Sequence, residues 1–101
     1  MAYFVYWSPL SKESFNGEVD FIFLKWNLEE VSKFIELMEV SIERLKEHPE
    51  IGMYKEEKKI YSIVISKQTK LFYRINKSQN QIELILFWNN LKNPVDLIKL
   101  L

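Results

Sequence analysis

The sequence has no cysteine and a single histidine. Without thiols there is no disulfide framework and no thiolate nucleophile. With one imidazole, a zinc site built from cysteine and histidine is not expected, and no motif implies another metal or a cofactor. Glycine occurs twice and proline three times, so no Gly/Pro-rich linker divides the chain. No apolar run approaches the ~20 residues that cross a bilayer. The N-terminus lacks a basic region followed by an apolar segment and a small-residue cleavage site. A cytoplasmic protein without membrane contact is therefore expected. Formal net charge is zero, which argues against a general polyanion binder. What the chain does have is apolar residues, 48%, and aromatics, 15%. In 101 residues that composition predicts one packed domain spanning 1–101 rather than disorder.

Three runs organise the chain: Ile60-Tyr-Ser-Ile-Val-Ile-Ser66, Leu71-Phe-Tyr-Arg-Ile-Asn76 and Ile82-Glu-Leu-Ile-Leu-Phe-Trp88. Their β-branched, aromatic and aliphatic residues suit a pleated, half-buried surface. Polar tetrads, Lys67–Lys70 and Lys77–Asn80, separate them. Connections so short make antiparallel hairpins, because a parallel return needs a dozen residues or more. Alternation places Leu71, Tyr73 and Ile75 on one face of the second strand. In the third it groups Ile82, Leu84, Leu86 and Trp88 against Glu83, Ile85 and Phe87. The Leu71/Tyr73/Ile75 and Ile82/Leu84/Leu86 sets are the expected core. The opposite face then carries Phe72, Arg74, Ile85 and Phe87. A face mixing aromatics with a cation suits a partner, and is also what an ordinary half-exposed sheet carries.

Ahead of this meander, Tyr3-Phe-Val-Tyr-Trp7 reads as a short strand. Ser8 can cap a helix whose first turn holds Pro9. Phe15, Val19, Ile22 and Trp26 recur at helical spacing, with Asn16-Gly17 as a break that can divide the segment. Phe21, Phe23 and Leu24 widen its apolar face and predict burial. Asn27 with Glu30 opens a second helix. Val31, Phe34, Ile35, Met38, Ile42 and Leu45 form its apolar stripe, and Pro49 ends it near His48. A charged loop, 50–59, leads into the sheet, and Val95 to Leu101 reads as a short helix or an extended tail.

The expected order is thus β-α-α-β-β-β, an α+β fold. A helical hairpin packs on one face of a mostly antiparallel four-stranded sheet, with the first strand antiparallel to the Ile60 strand. Charge is unevenly spread. Seven cations and two glutamates lie between Lys55 and Lys77, whereas seven glutamates and three cations lie between Leu28 and Glu50. A basic sheet half and an acidic helical half hint at an anionic partner for the sheet, or are simply solvated surface.

The chain resembles the RelE/ParE superfamily of type II toxin–antitoxin toxins, which includes plasmid stabilisation proteins. Trp7-Ser8-Pro9 resembles the end of the family's first strand and its helix cap. Trp26, Phe34 and Leu45 are similar to residues of its helical hairpin, and Pro49-Glu-Ile-Gly52 to its turn. Val64–Lys67 with Leu71–Ile75 resembles the central hairpin, and Ile82–Trp88 with Asn90 and Pro94 the last strand and exit. The resemblance implies a growth-inhibiting toxin neutralised by a cognate antitoxin. RelE-branch relatives cleave messenger RNA on the ribosome, as mRNA interferases. ParE-branch relatives inhibit DNA gyrase without being enzymes. A homologue that binds antitoxin without toxicity is a third reading.

Under the nuclease reading the resemblance implies Lys58, Lys59, Tyr61 and Arg74 as catalytic residues, with Glu57 an alternative for proton transfer. It implies Lys67, Lys70, Phe72, Ile85, Phe87, Asn90 and Lys92 as contacts to RNA or antitoxin. The chain departs from the family pattern at Tyr61-Ser62 and at Leu91, where many relatives carry arginine. Its lone His48 lies at a helix end, away from the sheet.

Overall fold

The computed structural model describes residues 2–101. Strand β1 (Phe4–Trp7) leads into helix α1 (Pro9–Lys25), and helix α2 (Leu28–Glu47) returns. A 3-10 turn at Pro49–Ile51 precedes β2 (Met53–Lys55), β3 (Ile60–Val64) and β4 (Thr69–Asn76). A second 3-10 turn, Lys77–Gln79, joins β4 to β5 (Gln81–Asn89), and helix α3 (Pro94–Leu100) follows. The sheet order is β1-β5-β4-β3-β2.

The helix boundaries follow the capping chemistry. Ser8 Oγ accepts from the Ser11 N–H at 3.0 Å, with Pro9 in the first turn. Asn27 Oδ1 accepts from the Glu30 N–H at 2.9 Å and starts α2 after the two-residue corner Trp26-Asn27. Pro49 lacks an N–H to continue the helix, and α2 ends at Glu47. Val31, Phe34, Met38, Ile42 and Leu45 are its buried stripe, as the spacing predicts.

Helix α1 runs unbroken through Asn16-Gly17. Gly17 is exposed, and a Cβ there would meet nothing within 4 Å. Gly17→Ala is therefore expected to stabilise the protein by about 0.5–1 kcal/mol, because it lowers the backbone entropy lost on folding. Thermal melts of the two proteins check this. Phe23 and Leu24, expected to be buried, are exposed near the hairpin corner. They lie on the side of α1 away from the buried Ile22, because 100° per residue turns them off its stripe.

The sheet has five strands rather than four. The charged loop contains the three-residue strand β2, too short to show periodicity. The helical hairpin does not return the chain to the end of β1 that it left. Helix α1 runs on beside β5, from Ser8 at Ile85 to Ser14 at Phe87, and α2 ends at the start of β1, where the Tyr3 N–H donates to Lys46 O at 2.9 Å. Strand β3 points the same way as β1. With β2 on the outer edge of β3, β1 pairs with β5 instead, in parallel, from Phe4–Gln81 to Trp7–Leu84. The expected antiparallel direction of the first strand relative to the Ile60 strand is thus overturned.

A second departure lies inside β5. Phe72 pairs with Leu86 and Tyr73 with Leu84, so Ile85 is an extra residue. Such a β-bulge exchanges the faces of all residues beyond it. Ile82 and Leu84 face the helices, as alternation predicts, but so does Phe87. Leu86 and Trp88 turn to the other side, where they join Phe72, Ile60 and Ile85. The bulge is held by α1: Ser8 Oγ donates to Ile85 O at 3.2 Å, and Ser14 Oγ accepts from Phe87 N at 2.9 Å. Where β1 stops, these two serines supply partners for β5 backbone groups that would otherwise be unpaired.

The main core lies between the helical hairpin and the sheet. Trp7, Phe15, Phe34 and Phe87 form its aromatic centre, with ring centroids 5.2–5.7 Å apart. A smaller apolar cluster lies on the opposite face. Ile60, Phe72, Ile85, Leu86 and Trp88 are buried there, with Leu10 and, from the C-terminal helix segment, Leu97 and Leu101 packed against them. Half of the face expected to be open is therefore covered.

Candidate functional site

The other half of that face remains accessible because the strands differ in length. β3 pairs with β4 from Val64–Lys70 to Tyr61–Tyr73, whereas β4 continues against β5 as far as Asn76–Gln81. The step left at this end of the sheet is an open concavity of about 930 Å³. Its floor includes a row across three strands: Tyr6 of β1, Glu83 of β5 and Arg74 of β4, each the register partner of the next. Facing residues on adjacent strands have Cβ atoms about 5 Å apart, so a phenol, a carboxylate and a guanidinium are immediate neighbours.

The wall comes from the β2–β3 hairpin, whose Tyr54 and Tyr61 belong to the helix-facing side of the sheet, so the concavity wraps around the end of β3. Tyr54 and Tyr61 are cross-strand partners with ring centroids 4.7 Å apart, and Tyr61 stacks on Tyr73 at 5.3 Å. Tyr73 anchors this ladder. It is fully buried, its hydroxyl donates to Pro49 O at 2.7 Å, and the Gly52 N–H donates to it at 3.1 Å. Burial pushes its phenol up to about 12, against the pull of the Gly52 hydrogen bond. The hydroxyl therefore stays neutral and acts as a structural donor. Glycine is required at 52, since a Cβ there would lie 2.5 Å from that hydroxyl and 2.8 Å from Ser62 O.

Lys59 and Lys77 complete the rim. Lys77 bonds Glu50 at 2.6 Å, and that hydrogen bond, together with the carboxylate's charge, raises its pKa. Both side chains are exposed, so the pair ties two turns together while contributing little stability. Among the described residues neither Lys59 nor Arg74 is in an ion pair. Both line the concavity, Arg74 with Glu83 as its cross-strand neighbour.

Of the residues singled out from sequence, Lys59, Tyr61 and Arg74 come together here. Lys58 and Glu57 are exposed in the adjacent turn and do not line the concavity. Lys67 lies at the opposite end of β3, beside Trp26 and Phe34 in a separate depression. Lys70 is half-buried on β4, opposite Trp88. Asn90 is exposed, and its N–H donates to Gln68 O at 2.8 Å. The Lys92 ammonium sits 5.6 Å from the Trp88 ring centroid. Phe72 and Ile85 are buried in the small cluster, and Phe87 is in the main core. These three were expected as exposed anchors for a partner, and the bulge and the C-terminal helix remove them from that surface.

Sequence reasoning missed Tyr6, Tyr54, Lys77 and Glu83. A signal existed for two of them. Tyr6 alternates with Val5 and Trp7, and Glu83 interrupts an apolar strand as Arg74 does. Nothing local marked the other two, Tyr54 on the short strand β2 and Lys77 in the turn after β4.

A mixed five-stranded sheet backed by a helical hairpin is a fold shared with two solved toxin structures. A chain of the RelBE2 toxin–antitoxin complex of Mycobacterium tuberculosis superposes with a TM-score of 0.61 at 14% identity, covering 88% of this chain and 99% of that one. A mutant of the Escherichia coli toxin RelE in the free state superposes with a TM-score of 0.63 at 17% identity, covering 88% and 84%. No curated protein matches at the sequence level. The family model of the ParE toxin of type II toxin–antitoxin systems, parDE, matches residues 5–90, and the chain belongs to that family. No helix among the described residues is long and apolar enough to cross a membrane.

Proposed function

We propose that this toxin arrests growth by binding and cleaving messenger RNA at the concavity, and that a cognate antitoxin neutralises it by covering the same surface. The observation that carries this reading is the convergence of Tyr6, Tyr54 and Tyr61 with Lys59, Arg74 and Glu83. Tyrosine rings offer stacking faces to unpaired bases, and the cations offer charge to phosphates, a pairing suited to single-stranded RNA. In the reaction, the ribose 2′-oxygen attacks the adjacent phosphorus while the bond to the 5′-oxygen breaks. Glu83 takes the 2′-hydroxyl proton, Arg74 stabilises the charged phosphorane, and Tyr61 donates a proton to the leaving oxygen. The antitoxin would lay acidic side chains against Lys59 and Arg74. The solved RelBE2 complex, a toxin–antitoxin assembly of the same fold, supports a protein partner of this kind.

Membership of the ParE family favours a second reading, inhibition of DNA gyrase without chemistry. Induction of the protein alone, with pulse-labelling of protein and DNA synthesis, separates the two. Prompt loss of translation supports RNA cleavage on the ribosome. Prompt loss of DNA synthesis supports gyrase, and growth without arrest supports a homologue that only binds antitoxin. Arg74→Glu is expected to slow RNA cleavage about 10²-fold, the scale on which removal of one transition-state donor acts. Cleavage at the parent rate by a folded Arg74→Glu protein would rule out this role.

A further inference from the structure

Among the described residues two that are not glycine adopt positive φ, Asn80 at 50° and Lys59 at 56°. Both stand last in a turn whose N–H closes a hydrogen bond three residues back, Asn80 to Lys77 O and Lys59 to Glu56 O, each at 3.3 Å. At Asn80 the residue suits the conformation, since asparagine tolerates the left-handed region. At Lys59 it does not. A lysine there carries a steric penalty between Cβ and the following carbonyl that glycine avoids altogether. Packing gives no reason for the choice, because Lys59 is exposed.

The charges around the concavity distinguish its cations. Lys77 is engaged by Glu50. Arg74 has Glu83 as its cross-strand neighbour. Lys59 has no ion-pair partner among the described residues, and it lines the concavity beside Tyr54 and Tyr61. Backbone strain retained at the rim of a site indicates that something other than stability keeps the residue.

We infer that Lys59 is a phosphate-binding residue of this toxin, held in a strained backbone conformation that sets its ammonium at the rim where a phosphodiester passes the tyrosine ladder. This rests on the RNA reading above and assigns within it a residue whose binding role opposes its effect on stability.

The test is Lys59→Gly, with Lys59→Asn as a second variant that also suits positive φ. Lys12→Gln, on the exposed face of α1, removes the same charge elsewhere. Thermal melts are paired with fluorescence anisotropy of a labelled single-stranded oligoribonucleotide across a salt series. Lys59→Gly is expected to melt several degrees above the parent. Its RNA affinity is expected to fall, and the slope of log affinity against log salt to shrink by about 0.7, the value of one phosphate contact to a single strand. Lys59→Asn should lose the same increment of slope, and Lys12→Gln should keep the parent slope. If both Lys59 variants bind with the parent's affinity and slope, the inference falls while the RNA reading stands. If Lys59→Gly melts no higher than the parent, the strain is absent and the inference falls. If the parent itself does not bind the oligonucleotide, the RNA reading falls and takes the inference with it.

Discussion

Phe87→Ala is expected to destabilise the protein by about 3–5 kcal/mol, the range for deleting a buried phenyl ring. That is a large part of the roughly 5–15 kcal/mol that holds a domain folded. The ring is 1% exposed and stacks on Trp7 at 5.5 Å and against Phe15 at 5.2 Å. These neighbours come from β1 and α1, so the cavity would open where strand, helix and sheet meet and cannot close by shifting one element. Urea unfolding measures the loss. Strict alternation along β5 would have made Phe87 a surface residue, for which the loss would stay below about 1 kcal/mol. The measurement therefore tests the bulge as well as the contact.

Glu18→Ala is expected to cost on the order of 3 kcal/mol, while Glu18→Gln costs much less. The Glu18 side chain is 2% exposed, and its Oε2 accepts from Thr69 Oγ1 at 2.8 Å and from Asn89 Nδ2 at 3.3 Å. Thr69 and Asn89 are cross-strand partners at one end of the β4–β5 ladder, and both are buried. Truncating Glu18 strands two buried polar groups, each of which costs about 1–3 kcal/mol when left without a partner. A glutamine retains an acceptor oxygen at the same reach, so the alanine and glutamine variants separate lost volume from lost hydrogen bonding. Asn89 also accepts from the Leu91 N–H at 2.8 Å, which directs the chain toward α3. Equal melting of the alanine and glutamine variants would show that the hydrogen bonds are not what the site needs.

The tyrosine ladder shows how far local sequence reaches. Tyr61 and Tyr73 are on one face of their strands by alternation alone, and their stacking needs only the hairpin register. Tyr54 joins them because β2 forms at the sheet edge, which three residues in a charged loop do not announce. Arg74 and Glu83 interrupt apolar runs and are legible as outward-facing. Their meeting with Tyr6 depends on β1 docking beside β5, a contact between residues 77 positions apart.

The chain by itself determined its helical hairpin, its β-meander and most of its main core. Those follow from capping residues, from the 3.6 and 2.0 periods of apolar side chains and from short connections, all of which act over a few residues. Val31 through Leu45 and Leu71 through Leu84 needed nothing more. The tertiary structure alone decided the neighbour of β1, the exchange of faces at Ile85 and the covering of Phe72 by the C-terminal helix. Each of these is set by competition for backbone hydrogen bonds and buried area between segments far apart in sequence. Ser8, which reads as a helix cap, and Ser14 hold the bulge only because α1 lies along β5. No local pattern encodes that packing, and it is what moves Phe87 into the core and leaves Lys59, Tyr61 and Arg74 at the concavity.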